Sequence, residues 1–189
     1  MRVTGGVLKG TKLTVEKDFK KKISGLRPTS AKVREALFSI IGDRLKDAVF
    51  VDLYGGTGIV GLEAMSRGAA KVIINEKNKL FIRRIRDNIK EFNLENNVDI
   101  TSLGAQSFLK KALKDNKRFD IIFADPPYQS VELEKILLMI SKLDILNDNG
   151  VLILEHYKKK NFPGRVGMLE LTKQYKYGDT MLTVYRKVK

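Results

Sequence analysis

The chain has 189 residues, 43% of them hydrophobic, which suits one domain of ordinary size with a sizeable core and argues against a disordered polymer. It contains no cysteine, which excludes disulfides, thiolate zinc sites and a cysteine nucleophile, and no apolar run approaches the ~18 residues that span a bilayer. Lysine and arginine outnumber aspartate and glutamate by 36 to 22, a formal charge of +14, and a field of that sign draws in polyanions, nucleic acid being the simplest. A lysine-rich solvated surface is the plainer alternative. With no signal-like or membrane-spanning segment, a cytoplasmic protein is expected. The single histidine, His156, cannot build a metal cluster, so no metal is expected either.

Residues 2–15 alternate apolar and polar positions around glycine-rich turns, the pattern of a short N-terminal β-hairpin. A basic loop follows, with Lys20, Lys21 and Lys22, and ends at Leu26-Arg27-Pro28-Thr29. Val33, Ala36, Leu37, Ile40 and Ile41 then recur at helical spacing behind Thr29 or Ser30 as N-cap. From residue 48 short apolar runs alternate with amphipathic helices. The runs are 49–51, 72–74, 98–100, 121–123 and 151–154, and most are apolar on both faces, as buried parallel strands are. Between them Phe81, Ile85, Ile89 and Phe92 line one helical face, and Val131, Ile136, Leu137 and Ile140 another. Strand alternating with helix predicts a doubly wound α/β sheet. Residues 168–176 and 180–186 read as an antiparallel hairpin turning at Gly178-Asp179, on the edge of that sheet. The chain divides into a hairpin and basic loop over 1–26 and a main domain over 27–189.

Two motifs carry chemistry. In Val51-Asp52-Leu53-Tyr54-Gly55-Gly56-Thr57-Gly58-Ile59-Val60-Gly61 a strand gives way to a glycine loop and then a helix, ending near Arg67 with Gly68 behind it. Glycines here let the backbone approach a ligand and leave helix N–H groups free. Glu76 follows about 20 residues on, at the end of the next strand, where an acid accepts from ribose hydroxyls. Gly56, Gly58 and Gly61 have dinucleotide spacing, but Asp52 projects into the place of a pyrophosphate and better suits the ammonium end of a methionine moiety. Only about 34 residues remain after 155, too few for the substrate domain of an oxidoreductase. The loop leans toward S-adenosylmethionine without deciding it.

The second motif, Asp125-Pro126-Pro127-Tyr128, ends the strand Phe119–Ala124. Two prolines cannot continue a central ladder, so the chain turns out at the carboxyl edge, where α/β sheets bind ligands. The Asp125 carboxylate and the Pro126 carbonyl can then both accept from an exocyclic amine, with Tyr128 stacked on the base. Two acceptors gripping the amine favour pyramidal nitrogen and turn its lone pair toward an electrophile. Transfer of a sulfonium methyl then needs mainly positioning and charge placement.

These residues resemble an S-adenosylmethionine-dependent amino-methyltransferase. Gly5-Gly6-x-x-Lys9-Gly10, Arg27-Pro28-Thr29 with Val33-Arg34-Glu35, and Gly61-Leu62-Glu63-Ala64 narrow the likeness to the RsmD family, which methylates a guanine N2 of small-subunit ribosomal RNA. The resemblance implies a Rossmann-like class I methyltransferase sheet, mostly parallel with a C-terminal antiparallel hairpin. It implies that Asp52, Leu53, Tyr54, Gly55, Gly56, Thr57 and Gly58 hold the methionine part of the cofactor, and Glu76, beside Lys77, the ribose. Ala105 and Gln106 would line the adenine, and Asp125 to Tyr128 the guanine. Many relatives carry Asp or Asn where this chain has Gly104, so a main-chain contact would replace that side chain. Arg27, Lys32 and Arg34 are candidates for contact with RNA phosphate or the cofactor carboxylate, and Lys20, Lys21 and Lys22, with the run 158–160, for RNA phosphates. The expected partner is ribosomal RNA or the small ribosomal subunit, and a monomer is the default. An adenine-N6 methyltransferase and a non-catalytic assembly factor stay open beside it, with a nicotinamide oxidoreductase the weakest rival.

Overall fold

The computed structural model describes residues 1–13, 30–127 and 131–188. After α1 (Ala31–Ile41) and a 3-10 turn (Gly42–Leu45), strands and helices alternate: β1 (Val49–Asp52), α2 (Ile59–Ser66), β2 (Lys71–Asn75), α3 (Lys79–Glu91), β3 (Val98–Thr101), α4 (Ala105–Lys114), β4 (Phe119–Ala124), α5 (Glu132–Ile140) and β5 (Leu146–Tyr157). Three strands close the chain, β6 (Arg165–Val166), β7 (Leu169–Tyr177) and β8 (Thr180–Lys187). They form one sheet in the order β3-β2-β1-β4-β5-β8-β7-β6. The first five are parallel, and β8, β7 and β6 continue antiparallel from β5. The order reverses between β1 and β4, which opens a crevice at their carboxyl ends.

Helices cover both faces. Phe50, Phe123, Val151 and Ile153 share one core with Leu37 and Ile41 of α1, Leu62 of α2 and Ile85 of α3. Val51, Ile122, Leu152 and Leu154 share the other with Leu109 of α4 and Ile136 of α5. Adjacent strand residues thus feed opposite cores, which is why the runs are apolar throughout. Ser30 caps α1 by accepting from the Val33 N–H at 3.3 Å.

One local reading changes. Val131 stands at the N-cap of α5 and is exposed, while Leu133 takes the buried position, because the helix begins at Glu132. Among the described residues the N-terminal hairpin pairs Arg2 with Lys12, and across it Val3 donates to the Thr11 carbonyl at 3.0 Å and Leu13 to the Met1 carbonyl at 2.9 Å. Its order comes from docking: Val3 and Leu13 enter the core, and the backbone of Val7 donates to the Ser66 carbonyl at 2.8 Å.

Candidate active site

β1 delivers Asp52 to the crevice, 1% exposed, and its Oδ2 accepts from the Gly61 N–H of α2 at 3.2 Å. The carboxylate therefore fastens the glycine loop to the helix it introduces. Gly58 begins the turn into α2 with φ +77°, and a Cβ there would lie 2.8 Å from Ile85 of α3. A Cβ at Gly61 would lie 2.6 Å from Ile74, so α2 packs on β2 only because this position is bare. Gly104 differs: a Cβ there would lie 3.9 Å from the Ser107 hydroxyl, an ordinary contact, so the space at the Cβ does not demand glycine.

Two side chains at the end of β2 shape the opposite wall. Glu76 accepts from the Gly56 N–H through Oε2 and from the Asn78 N–H through Oε1, both at 2.7 Å. Asn75, 2% exposed, donates to the Leu53 carbonyl at 3.1 Å and accepts from the Thr101 hydroxyl at 2.7 Å and the Leu103 N–H at 3.2 Å. One amide thus ties together the ends of β1, β2 and β3. Lys77 and Gln106 are exposed beside this wall and Ala105 is buried at the start of α4.

β4 brings Asp125 alongside. Leu53 donates its N–H to the Phe123 carbonyl at 2.9 Å, which aligns the glycine loop with the end of β4. Asp125 is half-buried, Pro126 buried and Pro127 exposed, and Tyr128 lies outside the described residues. Across the crevice the Tyr54 hydroxyl donates to Glu132 Oε2 at 2.7 Å, joining the glycine loop to α5. Burial pushes the Asp52 carboxyl up to about 7, and the charges of Asp125 and Glu76 add to that rise while the Gly61 hydrogen bond opposes it. Three carboxylates thus converge on one crevice and repel one another, an arrangement that a cationic ligand relieves. That suits the sulfonium and ammonium charges of S-adenosylmethionine.

The basic candidates divide. Lys32 is exposed on α1. Arg34 is not available to RNA: 3% exposed, it pairs with Glu63 at 3.2 Å and donates to the Arg2 carbonyl at 2.8 Å. Glu63, fully buried on α2, also takes Arg67 at 2.7 Å and both the N–H and hydroxyl of Thr4. Burial raises its carboxyl, but the hydrogen bonds from Thr4, Arg67 and Arg34 outweigh that and hold it below the usual carboxylate range. Lys158 and Lys160 are already paired, with Asp179 at 2.8 Å and Glu134 at 3.0 Å. Arg27, Lys20, Lys21 and Lys22 lie outside the described residues. His156 is a core residue whose Nε2 shares a 2.7 Å hydrogen bond with the Thr183 hydroxyl.

Sequence reasoning missed Asn75, Glu132 and Glu155. The last is 3% exposed at the end of β5, one residue past the Ala124–Leu154 pairing and hence level with Asp125 on the neighbouring strand. A run of strand residues ending in Asn or Glu carries no motif, so only the register reveals Asn75 and Glu155, while Glu132, at the start of a helix, shows through its bond to Tyr54.

Known proteins resemble this chain in sequence and in fold. Ribosomal RNA small subunit methyltransferase D of Buchnera aphidicola (subsp. Acyrthosiphon pisum) is 34% identical over 159 residues, covering 84% of this chain and 79% of the relative. The protein of the same name in Escherichia coli K12 is 28% identical over 188 residues, covering 99% and 90%. Among solved structures, YhhF of Escherichia coli superposes with a TM-score of 0.82 at 25% identity, over 99% of this chain and 97% of that one. SMU.776, solved in complex with SAH, shares the fold at a TM-score of 0.64 and 16% identity, over 87% and 50%. Fold and crevice together define a Rossmann-like class I methyltransferase. The family described as Conserved hypothetical protein 95 matches residues 1–186, and the chain belongs to it, the RsmD family.

Proposed function

We propose that this protein transfers a methyl group from S-adenosylmethionine to the exocyclic N2 of a guanine in small-subunit ribosomal RNA, in an assembled or assembling subunit. The observation that carries the reading is the convergence of Asp52, Glu76 and Asp125 at the switch point of the sheet, where burial and mutual repulsion favour a cationic ligand. The residues fit the cofactor. Asp52 and the 53–58 backbone would hold its methionine end, Glu76 the ribose, and Ala105 and Gln106 the adenine. Bound there, S-adenosylmethionine supplies an activated methyl on a positively charged sulfur.

The chain's own residues do the rest. The Asp125 carboxylate and the Pro126 carbonyl accept from the target amine, fix its orientation and turn the nitrogen lone pair into the crevice. As charge develops on that nitrogen, Asp125 stabilises it, and the proton leaves to water or to the carboxylate. Tyr128 would stack on the extruded base. Two acceptors fit a guanine or an adenine amine alike, so the choice of guanine N2 follows from the family resemblance, and the ribosomal substrate is supported by the relatives' names.

The test is methyl transfer from labelled S-adenosylmethionine to small subunits lacking native methylation, followed by nucleoside analysis. Label in N2-methylguanosine is expected. Label in N6-methyladenosine would keep the chemistry and overturn the base, and no label on subunits, free RNA or DNA would leave a binding protein as the better account.

A further inference from the structure

On the face of the sheet that carries α1, a groove of about 380 Å³ runs between that helix with its 3-10 turn and strands β5, β8 and β7. Its floor is apolar, with Ile41, Val151, Ile153 and Val184, and its rim carries Arg44, Lys173 and Arg186. Among the described residues no acidic side chain lines it. Some basic side chains elsewhere meet a carboxylate, as Lys71, Lys111, Arg118 and Lys187 do. The three rim cations form no ion pair among the described residues, although Glu170 lies opposite Arg186 in the β7–β8 ladder. The Lys173 Nζ lies 5.9 Å from the centre of the Tyr175 ring.

Arg186 provides the second observation. Its Nε is sealed from solvent and meets no hydrogen-bond acceptor among the described residues. A buried guanidinium N–H without an acceptor is destabilising, and native structures rarely keep one unless something else supplies the oxygen. The missing partner must be an acceptor, preferably anionic, small enough to reach the groove wall between Arg44 and Lys173. A phosphodiester has that chemistry: guanidinium binds its oxygens in a forked geometry, and the neighbouring Tyr175 ring offers a face on which a base can stack.

The position fits an RNA strand. Val151 in the groove floor lies three residues before Leu154, which pairs with Ala124 at the catalytic edge. At the rise of a strand that is roughly 10 Å. We infer that this groove is a docking subsite for the RNA backbone flanking the target nucleotide, with Arg44, Lys173 and Arg186 on its phosphates. The inference rests on the RNA-methyltransferase reading above. Contacts of this kind position the strand and carry no sequence information.

The test compares wild type with the pair Arg44→Glu/Lys173→Glu, whose exposed side chains change charge without touching the core, and with Arg186→Met, which keeps the apolar stem. Binding of an unmethylated small-subunit ribosomal RNA fragment is measured across a salt series, with S-adenosylmethionine affinity as the control for folding. The pair is expected to weaken RNA binding roughly 10- to 100-fold at low salt. It should also lower the slope of log affinity against log salt by about 1.4, near 0.7 for each single-strand phosphate that is no longer neutralised. Arg186→Met should lower that slope by about 0.7. Cofactor affinity should not move. Unchanged RNA affinity and slope in both variants would overturn the inference, even if they then failed to bind a protein of the subunit. A wild type that neither binds nor methylates the RNA would instead remove the functional reading on which the groove depends.

Discussion

Asp52→Asn should stabilise the ligand-free protein, and by more as the pH rises. The wild-type carboxyl is lifted from 3.8 to about 7, chiefly by burial and then by Asp125 and Glu76. In the unfolded chain it loses its proton near its ordinary value. Between those limits the folded state holds more protons than the unfolded one, so stability falls as pH rises from about 4 to about 7. At about 1.4 kcal/mol per pH unit the full shift corresponds to about 4 kcal/mol. Asparagine keeps an oxygen for the Gly61 N–H and has no charge to desolvate. Urea denaturation of both proteins without cofactor, at several pH values, reads the difference between them and cancels every other titrating group. The variant's advantage should grow by about 2–3 kcal/mol from pH 5 to pH 8 and level off above that. An advantage that stays flat or shrinks with pH would show that the carboxylate is not held against its charge, and the electrostatic account of the crevice would fall.

The same group should make cofactor binding pH-dependent: by calorimetry, wild-type affinity for S-adenosylmethionine rises from pH 6 to pH 8, and Asp52→Asn is weaker with little slope. Asp125→Ala should abolish label transfer to ribosomal RNA while cofactor affinity stays within a few-fold. Tyr54→Phe removes the hydrogen bond to Glu132 and should raise the KM for cofactor about five-fold, as loss of about 1 kcal/mol implies. Glu63→Ala leaves Arg34 buried without its carboxylate and should cost about 3–5 kcal/mol in urea denaturation, although Glu63 touches no part of the crevice.

The parts of the fold legible in the sequence are those whose cause is local. Apolar runs became β1 to β5 because a parallel strand covered on both sides tolerates little else. Glycines 58 and 61 read as room for a ligand to approach the backbone, whereas the structure shows each packed close to a side chain, Ile85 and Ile74. The prolines after Asp125 marked the strand end because they cannot donate to a ladder. What was illegible depends on partners far away in the chain. Arg34 reads as a surface cation beside Lys32, and only Glu63, 29 residues on, turns it inward. The strand β5 outruns its apolar run at both ends, since its pairing with β8 extends to Tyr157 and its polar start, Asn147 to Asn149, sits at the edge of the core. The α2 helix has no amphipathic stripe to read, because nearly every residue from Ile59 to Ser66 is buried.

Asn75 gives the crevice an unusual division of labour. The groups that would answer a ligand's charge, Asp52, Glu76 and Asp125, are ionisable, but the clasp that holds three strand ends in register is a neutral amide whose hydrogen bonds do not change with pH. A cation entering the crevice would discharge the repulsion among the acids without loosening the frame that carries them. The site can therefore respond to its ligand by changing its protonation, with the shape already in place, and its preorganisation is maintained by a residue that takes no part in the chemistry.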